Sequence, residues 1–118
     1  MLYKTIDTAL IDQLKELIGG DRDSLLELIE TFIEEGGDII TQSNTAVENT
    51  DLQLLRRSAH SLKSSAQDFG ASELSRLCAT LEAGCKSSWP DDAATLSGMI
   101  GEEYHRVAAE LQHYLENA

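Results

Sequence analysis

Apolar residues recur along most of the chain at intervals of three and four, which is the spacing of one face of an α-helix. The stripe is clear in the segment Leu74, Leu77, Cys78, Leu81 and in the segment Ile100, Tyr104, Val107, Leu111. Runs of alternating β-branched or aromatic residues, typical of strands, are scarce, and the chain has a single proline, Pro90. The pattern therefore predicts an all-α fold.

Aspartate and glycine residues predict where each helix begins and ends, because aspartate caps helix N-termini and glycine closes C-termini. The predicted helices are a short one from Asp7 to about Ile18, a long one from Asp21–Asp23 to about Asn49, a third from the cap Asp51 to Gly70, a fourth ending between Gly84 and Trp89, and a fifth with Pro90 in its first turn that runs to about Leu115. Gly36-Gly37 interrupts the second segment, so either one kinked helix or two helices fit the pattern there.

The simplest assembly of these elements is an antiparallel four-helix bundle with a short additional N-terminal helix. No internal repeat or linker divides the chain, so residues 1–118 are expected to form one domain. A chain of this length buries about two-thirds of its unfolded surface and needs no metal or disulfide to fold. Both a free-standing protein and a module of a larger kinase fit the sequence.

The composition excludes several classes of function. No apolar run approaches the roughly 18 residues of a membrane span, and the N-terminus lacks an export signal, so a cytoplasmic protein is expected. The net charge of −12 would repel a phosphate backbone, which disfavours nucleic acid as a partner. The charge is uneven: residues 1–50 sum to −8, residues 51–86 to +1 and residues 87–118 to −5.

Motifs for nucleotide binding, ester hydrolysis or metal binding are absent from the sequence. It has no GxxxxGK[ST], GxGxxG or GxSxG motif, so we expect a chain that neither binds ATP nor hydrolyses esters by itself. Cys78 and Cys85 are predicted to fill the core. Glu102-x-x-His105 resembles half of a di-iron site, but no second such pair exists, so a metal-binding bundle is the weaker alternative and no bound metal is expected.

His60 is the candidate for chemistry. On a helical wheel five apolar residues of the third helix fall 120° to 240° from His60, so its ring points away from the core. They are Leu54, Leu55, Leu62, Ala66 and Phe69. Its exposed face carries the polar residues Arg56, Arg57, Lys63, Ser64 and Gln67, including three of the nine cations of the chain. Imidazole is partly neutral at physiological pH, and neighbouring cations favour that nucleophilic form and stabilise a bound phosphoryl group. A solvated histidine on a docking face is the alternative.

The segment Leu55-Arg56-Arg57-Ser58-Ala59-His60-Ser61-Leu62-Lys63-Ser64-Ser65-Ala66, followed by Phe69-Gly70-Ala71 and Leu81-Glu82, resembles the histidine phosphotransfer (HPt) domain of bacterial phosphorelays. The resemblance implies that His60 accepts a phosphoryl group from a receiver-domain aspartate and passes it to another. The implied partners are the receiver domain of a hybrid sensor histidine kinase and a downstream response regulator, with Mg²⁺ in the receiver and no cofactor on this chain. A monomer is expected.

The same resemblance implies roles for three further residues. Lys63 stands at the position of the lysine that offsets phosphoryl charge, and Ser64 at a position where the family usually has glycine. Glu82 matches a polar position on the adjacent helix that could accept a hydrogen bond from Nδ1 of His60, which would leave Nε2 as the nucleophile.

A docking patch for partners is predicted beside His60. It comprises Arg56, Arg57 and Gln67 of the third helix together with apolar residues of the first helix that the bundle does not need, Ile6, Leu10 and Ile11. A function of another class, a non-catalytic helical adaptor that docks a signalling protein, would use the same face.

Overall fold

A computed structural model describes residues 3–117, and every regular element in this range is an α-helix. The five helices are α1 (Thr8–Leu17), α2 (Arg22–Asn49), α3 (Leu52–Asp68), α4 (Ser72–Gly84) and α5 (Ala93–Glu116). The predicted all-α fold is confirmed. Within the same residues, each helix is too short or too polar to cross a membrane.

Three helices begin at aspartate caps. Asp7 accepts a hydrogen bond from the N–H of Ala9 at 3.0 Å, and Asp51 accepts one from the N–H of Leu54 at 3.1 Å. Asp21 caps α2 in the same way. Each such cap satisfies an otherwise unpaired helix N–H and contributes about 1 kcal/mol. The predicted caps Asp7 and Asp51 are therefore confirmed.

Helix α2 is continuous through Gly36-Gly37, which decides between the two alternatives left by the sequence. The Tyr104 ring of α5 lies where a Gly36 side chain would be: a Cβ there would come within 2.5 Å of Tyr104 Cε1. The Tyr104 hydroxyl donates a hydrogen bond to the Ile33 carbonyl. The glycines thus make room for an aromatic side chain of the neighbouring helix, and that packing offsets their low helix propensity.

Helix α5 begins at Ala93, three residues later than predicted from Pro90. Pro90 lies before the helix, and its carbonyl accepts the N–H of Ala93 at 3.2 Å in a turn. A Cβ built on Gly84 would come within 3.3 Å of the Pro90 Cβ. Pro90 therefore packs against the end of α4 and turns the chain there.

The long helices form an up-and-down bundle whose short connections place consecutive helices side by side. Helix α3 packs against α2 and α4, and α5 packs against α2 and α4 on the other side. The centre is filled by fully buried aliphatic side chains from all four helices, among them Leu25, Ile29, Leu55, Leu62, Leu74, Leu81, Val107 and Leu111. This arrangement gives α3 and α4 a common outer surface.

Helix α1 crosses one end of the bundle and packs against α2 and α3. Ile11 is 0% exposed and Ile6 is also buried, so neither can contact a partner. Their assignment to the docking patch is wrong, because these two side chains attach α1 to the core. Gly70, with φ +65°, lies so close to Asp7 that a Cβ would come within 2.5 Å of the Asp7 Cβ. This contact fixes α1 next to the C-terminal end of α3.

Candidate functional site

His60 lies near the middle of α3 on the outer surface of the bundle. Its side chain is 60% exposed, whereas Leu55 and Leu62 on the opposite face of the helix are fully buried. The outward orientation predicted by the wheel is therefore observed. Because α3 is anchored along its whole buried face, the ring is presented from a fixed backbone.

Small side chains bring α3 and α4 close together beneath this surface. Ala59, Ala66 and Ser75 are buried in the described structure, and helices approach more closely where the side chains between them are small. The Ser75 hydroxyl of α4 donates a hydrogen bond to the Lys63 carbonyl of α3 at 3.4 Å. This close contact lets a side chain of α4 reach the polar face of α3.

The Glu82 side chain of α4 extends to α3 and contacts both His60 and Lys63. Its Oε2 lies 2.6 Å from Nδ1 of His60, and its Oε1 lies 2.6 Å from Nζ of Lys63. Glu82 and Lys63 are 22% and 26% exposed, so this pair is partly shielded from solvent. One carboxylate therefore uses both oxygens to bind the imidazole and the ammonium group.

These two contacts keep Glu82 ionised. The hydrogen bond from Lys63 lowers the pKa of the Glu82 carboxyl below its usual range, the hydrogen bond from His60 lowers it further, and burial opposes both. A carboxylate can only accept hydrogen bonds. The proton of a neutral His60 ring consequently resides on Nδ1, and Nε2 carries the free lone pair.

The other residues predicted for this face surround His60. Arg56, Arg57, Ser64 and Gln67 are exposed along α3. Their roles stay predictions. Leu10 of α1 is 40% exposed and, with Lys63 and Gln67, lines a surface groove of about 350 Å³ beside the site. Leu10 is accessible, whereas Ile11 is buried, so Leu10 stays in the predicted docking patch.

Sequence reasoning missed the pairing of Lys63 with Glu82 and the contact of Ser75 with α3. The helical wheel treats each helix by itself, so it places Lys63 on the outer face without a partner. The available signal for Ser75 was a small residue in the apolar stripe of α4, next to Leu74. Both contacts depend on how the two helices pack.

The two cysteines lie in the core, as predicted. Cys78 and Cys85 are both free thiols and are 0% and 1% exposed. Burial raises the pKa of the Cys78 thiol to about 12 and also raises that of Cys85. Glu102 and His105 are exposed on α5, and residues 3–117 contain no group of three histidine, cysteine or acidic side chains placed to hold a metal ion.

The chain is similar in sequence to one protein family and in fold to solved structures. The sequence model of the Hpt domain matches residues 27–118, most of the chain. Among solved structures, the crystal structure of histidine-containing phosphotransfer protein B from Pseudomonas aeruginosa PAO1 superposes with a TM-score of 0.88. The two are 23% identical, and the match covers 97% of this chain and 96% of that chain. No curated protein matches the chain in sequence.

Proposed function

Since the chain belongs to the Hpt domain family, we propose that His60 is the residue on which it carries a phosphoryl group. Members of this family are the histidine phosphotransfer proteins of phosphorelay signalling, and the chain is one of them. The family match does not choose among the three histidines of the sequence, which are His60, His105 and His113. The choice of His60 rests on its surroundings.

The observation that carries the proposal is the 2.6 Å contact between Nδ1 of His60 and Oε2 of Glu82. It leaves Nε2 as the basic nitrogen of a ring that is 60% exposed. By comparison, His113 Nδ1 lies 3.1 Å from the Tyr3 hydroxyl, and within residues 3–117 no carboxylate forms a hydrogen bond with its ring. An oriented neutral imidazole with an open nitrogen is what nucleophilic attack on phosphorus requires.

The transfer step follows from this geometry. The lone pair of His60 Nε2 attacks the phosphorus of an aspartyl phosphate, the N–P bond forms, and the P–O bond breaks as the aspartate leaves with its electron pair. Nδ1 keeps its proton, so the phosphorylated ring gains positive charge, which the Glu82 carboxylate stabilises. Lys63 lies beside the same carboxylate and supplies positive charge for the phosphoryl oxygens.

Partners follow from the family and from the site. Hpt domains interact with receiver domains of kinases and response regulators. For this chain we propose one upstream receiver, that of a hybrid sensor kinase, and one downstream response regulator, both docking over His60. The Mg²⁺ that the reaction uses belongs to the receiver in this proposal. A single bundle supplies His60, Glu82 and Lys63, which supports a monomeric carrier. The cytoplasmic location of the protein stays a prediction.

The test is transfer from a receiver domain labelled at its aspartate. We expect an acid-labile, base-stable label on the wild-type chain and none on the His60→Gln variant. His105→Gln is the matched control, because His105 is also exposed on a helix but lies on α5. It should be labelled like the wild type.

A label that persists in His60→Gln would assign the phosphoryl group to another residue and refute the proposed site. Absence of any label on the wild-type chain with every receiver of the source genome would support the adaptor function instead.

A further inference from the structure

A groove of about 420 Å³ runs between the first half of α2 and the C-terminal end of α5. Its floor is apolar and is formed by Leu26, Ile33 and Leu115. Leu26 and Ile33 are only partly buried although they pack against the core. The groove therefore leaves apolar surface of two long helices open to solvent.

The rim of this groove is acidic. Glu30, Glu34 and Glu116 line it, all three are exposed, and none makes an ion pair with another described residue. Glu30 and Glu34 lie one turn apart on α2 and so project from the same side of the helix. Like charges at this spacing destabilise a helix, and a bound cation would remove that repulsion.

One cation, Arg22, also lines the groove. Its Nη2 donates a hydrogen bond to the Leu115 carbonyl at 3.0 Å, at the end of α5. There the guanidinium satisfies a carbonyl that the helix itself cannot pair. Among residues 3–117 Arg22 makes no ion pair with Glu30, Glu34 or Glu116, so these carboxylates are available to a ligand outside the chain.

The acidic rim belongs to a larger asymmetry of charge. Residues 21–50, which include α2, contain eight acidic residues and one basic residue, and residues 87–118, which include α5, contain six and one. Residues 51–86, which include α3 and α4, sum to +1. Because α2 packs against α5, the two most acidic helices lie side by side.

This surface is on the side of the bundle away from the proposed phosphorylation site. Helix α2 neighbours α3 and α5, and α4 neighbours the same two helices, so the α2–α5 groove and the α3–α4 surface are opposite sides of the bundle. His60 and Glu82 lie on the α3–α4 side. A ligand in the groove would leave them accessible.

We propose that the α2–α5 groove binds a cationic amphipathic segment of a partner protein, with apolar residues on the floor and lysine or arginine residues at the rim. The charge argues against other occupants. Nucleic acid and anionic lipid would be repelled by Glu30, Glu34 and Glu116, and a second copy of this chain would bring another net charge of −12. A basic segment complements both the apolar floor and the carboxylates of Glu30, Glu34 and Glu116.

The proposal extends the function of the carrier without depending on it. A partner held at α2–α5 and a receiver domain docked at α3–α4 would bind at the same time. Such a carrier could be kept near the proteins that it serves while it exchanges phosphoryl groups.

The test uses the whole chain and a synthetic 18-residue helical peptide with leucine on one face and lysine on the other. Binding is measured by calorimetry and located by amide chemical shifts in NMR spectra. We expect the largest shift changes at the groove, and a roughly fivefold to tenfold weaker affinity for the Glu30→Gln/Glu34→Gln variant, since each exposed ion pair contributes up to a few-fold. The matched control is Asp38→Asn/Glu48→Gln, which removes two exposed charges of α2 outside the groove. Its affinity should stay within about twofold of the wild type.

Three results would overturn the proposal: no binding, equal weakening in both double variants, or shift changes centred on α3 and α4. Equal binding of a peptide with glutamate in place of lysine would also contradict it. Labelling of His60 by a phosphorylated receiver is measured separately in each variant, so failure of the groove and failure of the phosphoacceptor give different results.

Discussion

Replacing Glu82 with glutamine separates the electrostatic contribution of this residue from its shape. The amide keeps an oxygen that can accept the Nδ1 hydrogen bond of His60, but it removes the negative charge that faces the ring at 2.6 Å. In the proposed transfer step the ring becomes positive, so the variant is expected to lose stabilisation mainly in the transition state and in the phosphorylated product.

The expected loss can be worked from the contact. A hydrogen bond to a charged group contributes about 1.5–3 kcal/mol to stability, and a neutral hydrogen bond contributes about 1 kcal/mol. The variant keeps the neutral bond and loses only the difference, which solvent screening of the 60% exposed His60 side chain places near its lower end, about 1 kcal/mol. At about 1.36 kcal/mol per factor of ten, transfer to Glu82→Gln should be roughly fivefold slower.

The assay is single-turnover transfer from a labelled receiver domain to excess carrier. Glu73→Gln is the control, because Glu73 is on the same helix and forms an ion pair with Arg76 away from His60. It should transfer within about twofold of the wild type. Nitrogen chemical shifts of the imidazole give an independent readout, with Nδ1 protonated in the neutral wild-type ring. A Glu82→Gln rate equal to the wild-type rate would refute the role of this carboxylate.

Further predictions concern stability and reactivity. Hydrogen bonds hold the pKa of Glu82 below its unfolded value of about 4.3, so the stability that they contribute is present above that pH and is lost as the pH falls through the lower folded pKa. The free energies of unfolding of wild type and Glu82→Gln, measured in urea, should therefore converge in acid. A constant difference down to pH 2 would contradict this. Gly70→Ala should destabilise the fold by about 1–3 kcal/mol, since the residue has φ +65° and no room for a Cβ. Gly98→Ala is the control: a Cβ there would have no atom within 4 Å, so the change should be neutral or stabilising by up to about 1 kcal/mol. Thermal unfolding of the two variants checks the sign of each effect. In a Cys85→Ser variant, Cys78 should react with a thiol reagent at pH 8 only when the protein unfolds, because burial raises its thiol pKa to about 12. Fast labelling of the native protein would show that the burial of Cys78 is not maintained.

Features of the fold that depend on neighbouring residues in the sequence could be predicted well. The caps Asp7 and Asp51 act on N–H groups two or three residues away, so their signal is local. The outward direction of His60 follows from the period of α3 alone. The positive φ of Gly70 likewise belongs to a helix end that the sequence marks.

Features that depend on packing between helices could not be read from the sequence. The continuity of α2 at Gly36 requires knowledge that Tyr104, 68 positions later, fills the space over the glycine. The burial of Ile11 and the exposure of its neighbour Leu10 depend on how α1 lies across the bundle. The family resemblance suggested that Glu82 meets His60, but the second hydrogen bond of Glu82, to Lys63, appears only when α3 and α4 are packed together.

The exposure of the His60 ring has a consequence for the direction of signalling. If His60 carries the phosphoryl group as proposed, that group stays in contact with water between encounters, and each docking partner must exclude water for its own reaction. The carrier then favours neither donor nor recipient. Net flow would follow the relative free energies of the aspartyl phosphates on the two partners, so the same molecule could deliver a signal forward or return it to an upstream domain that has lost its phosphate.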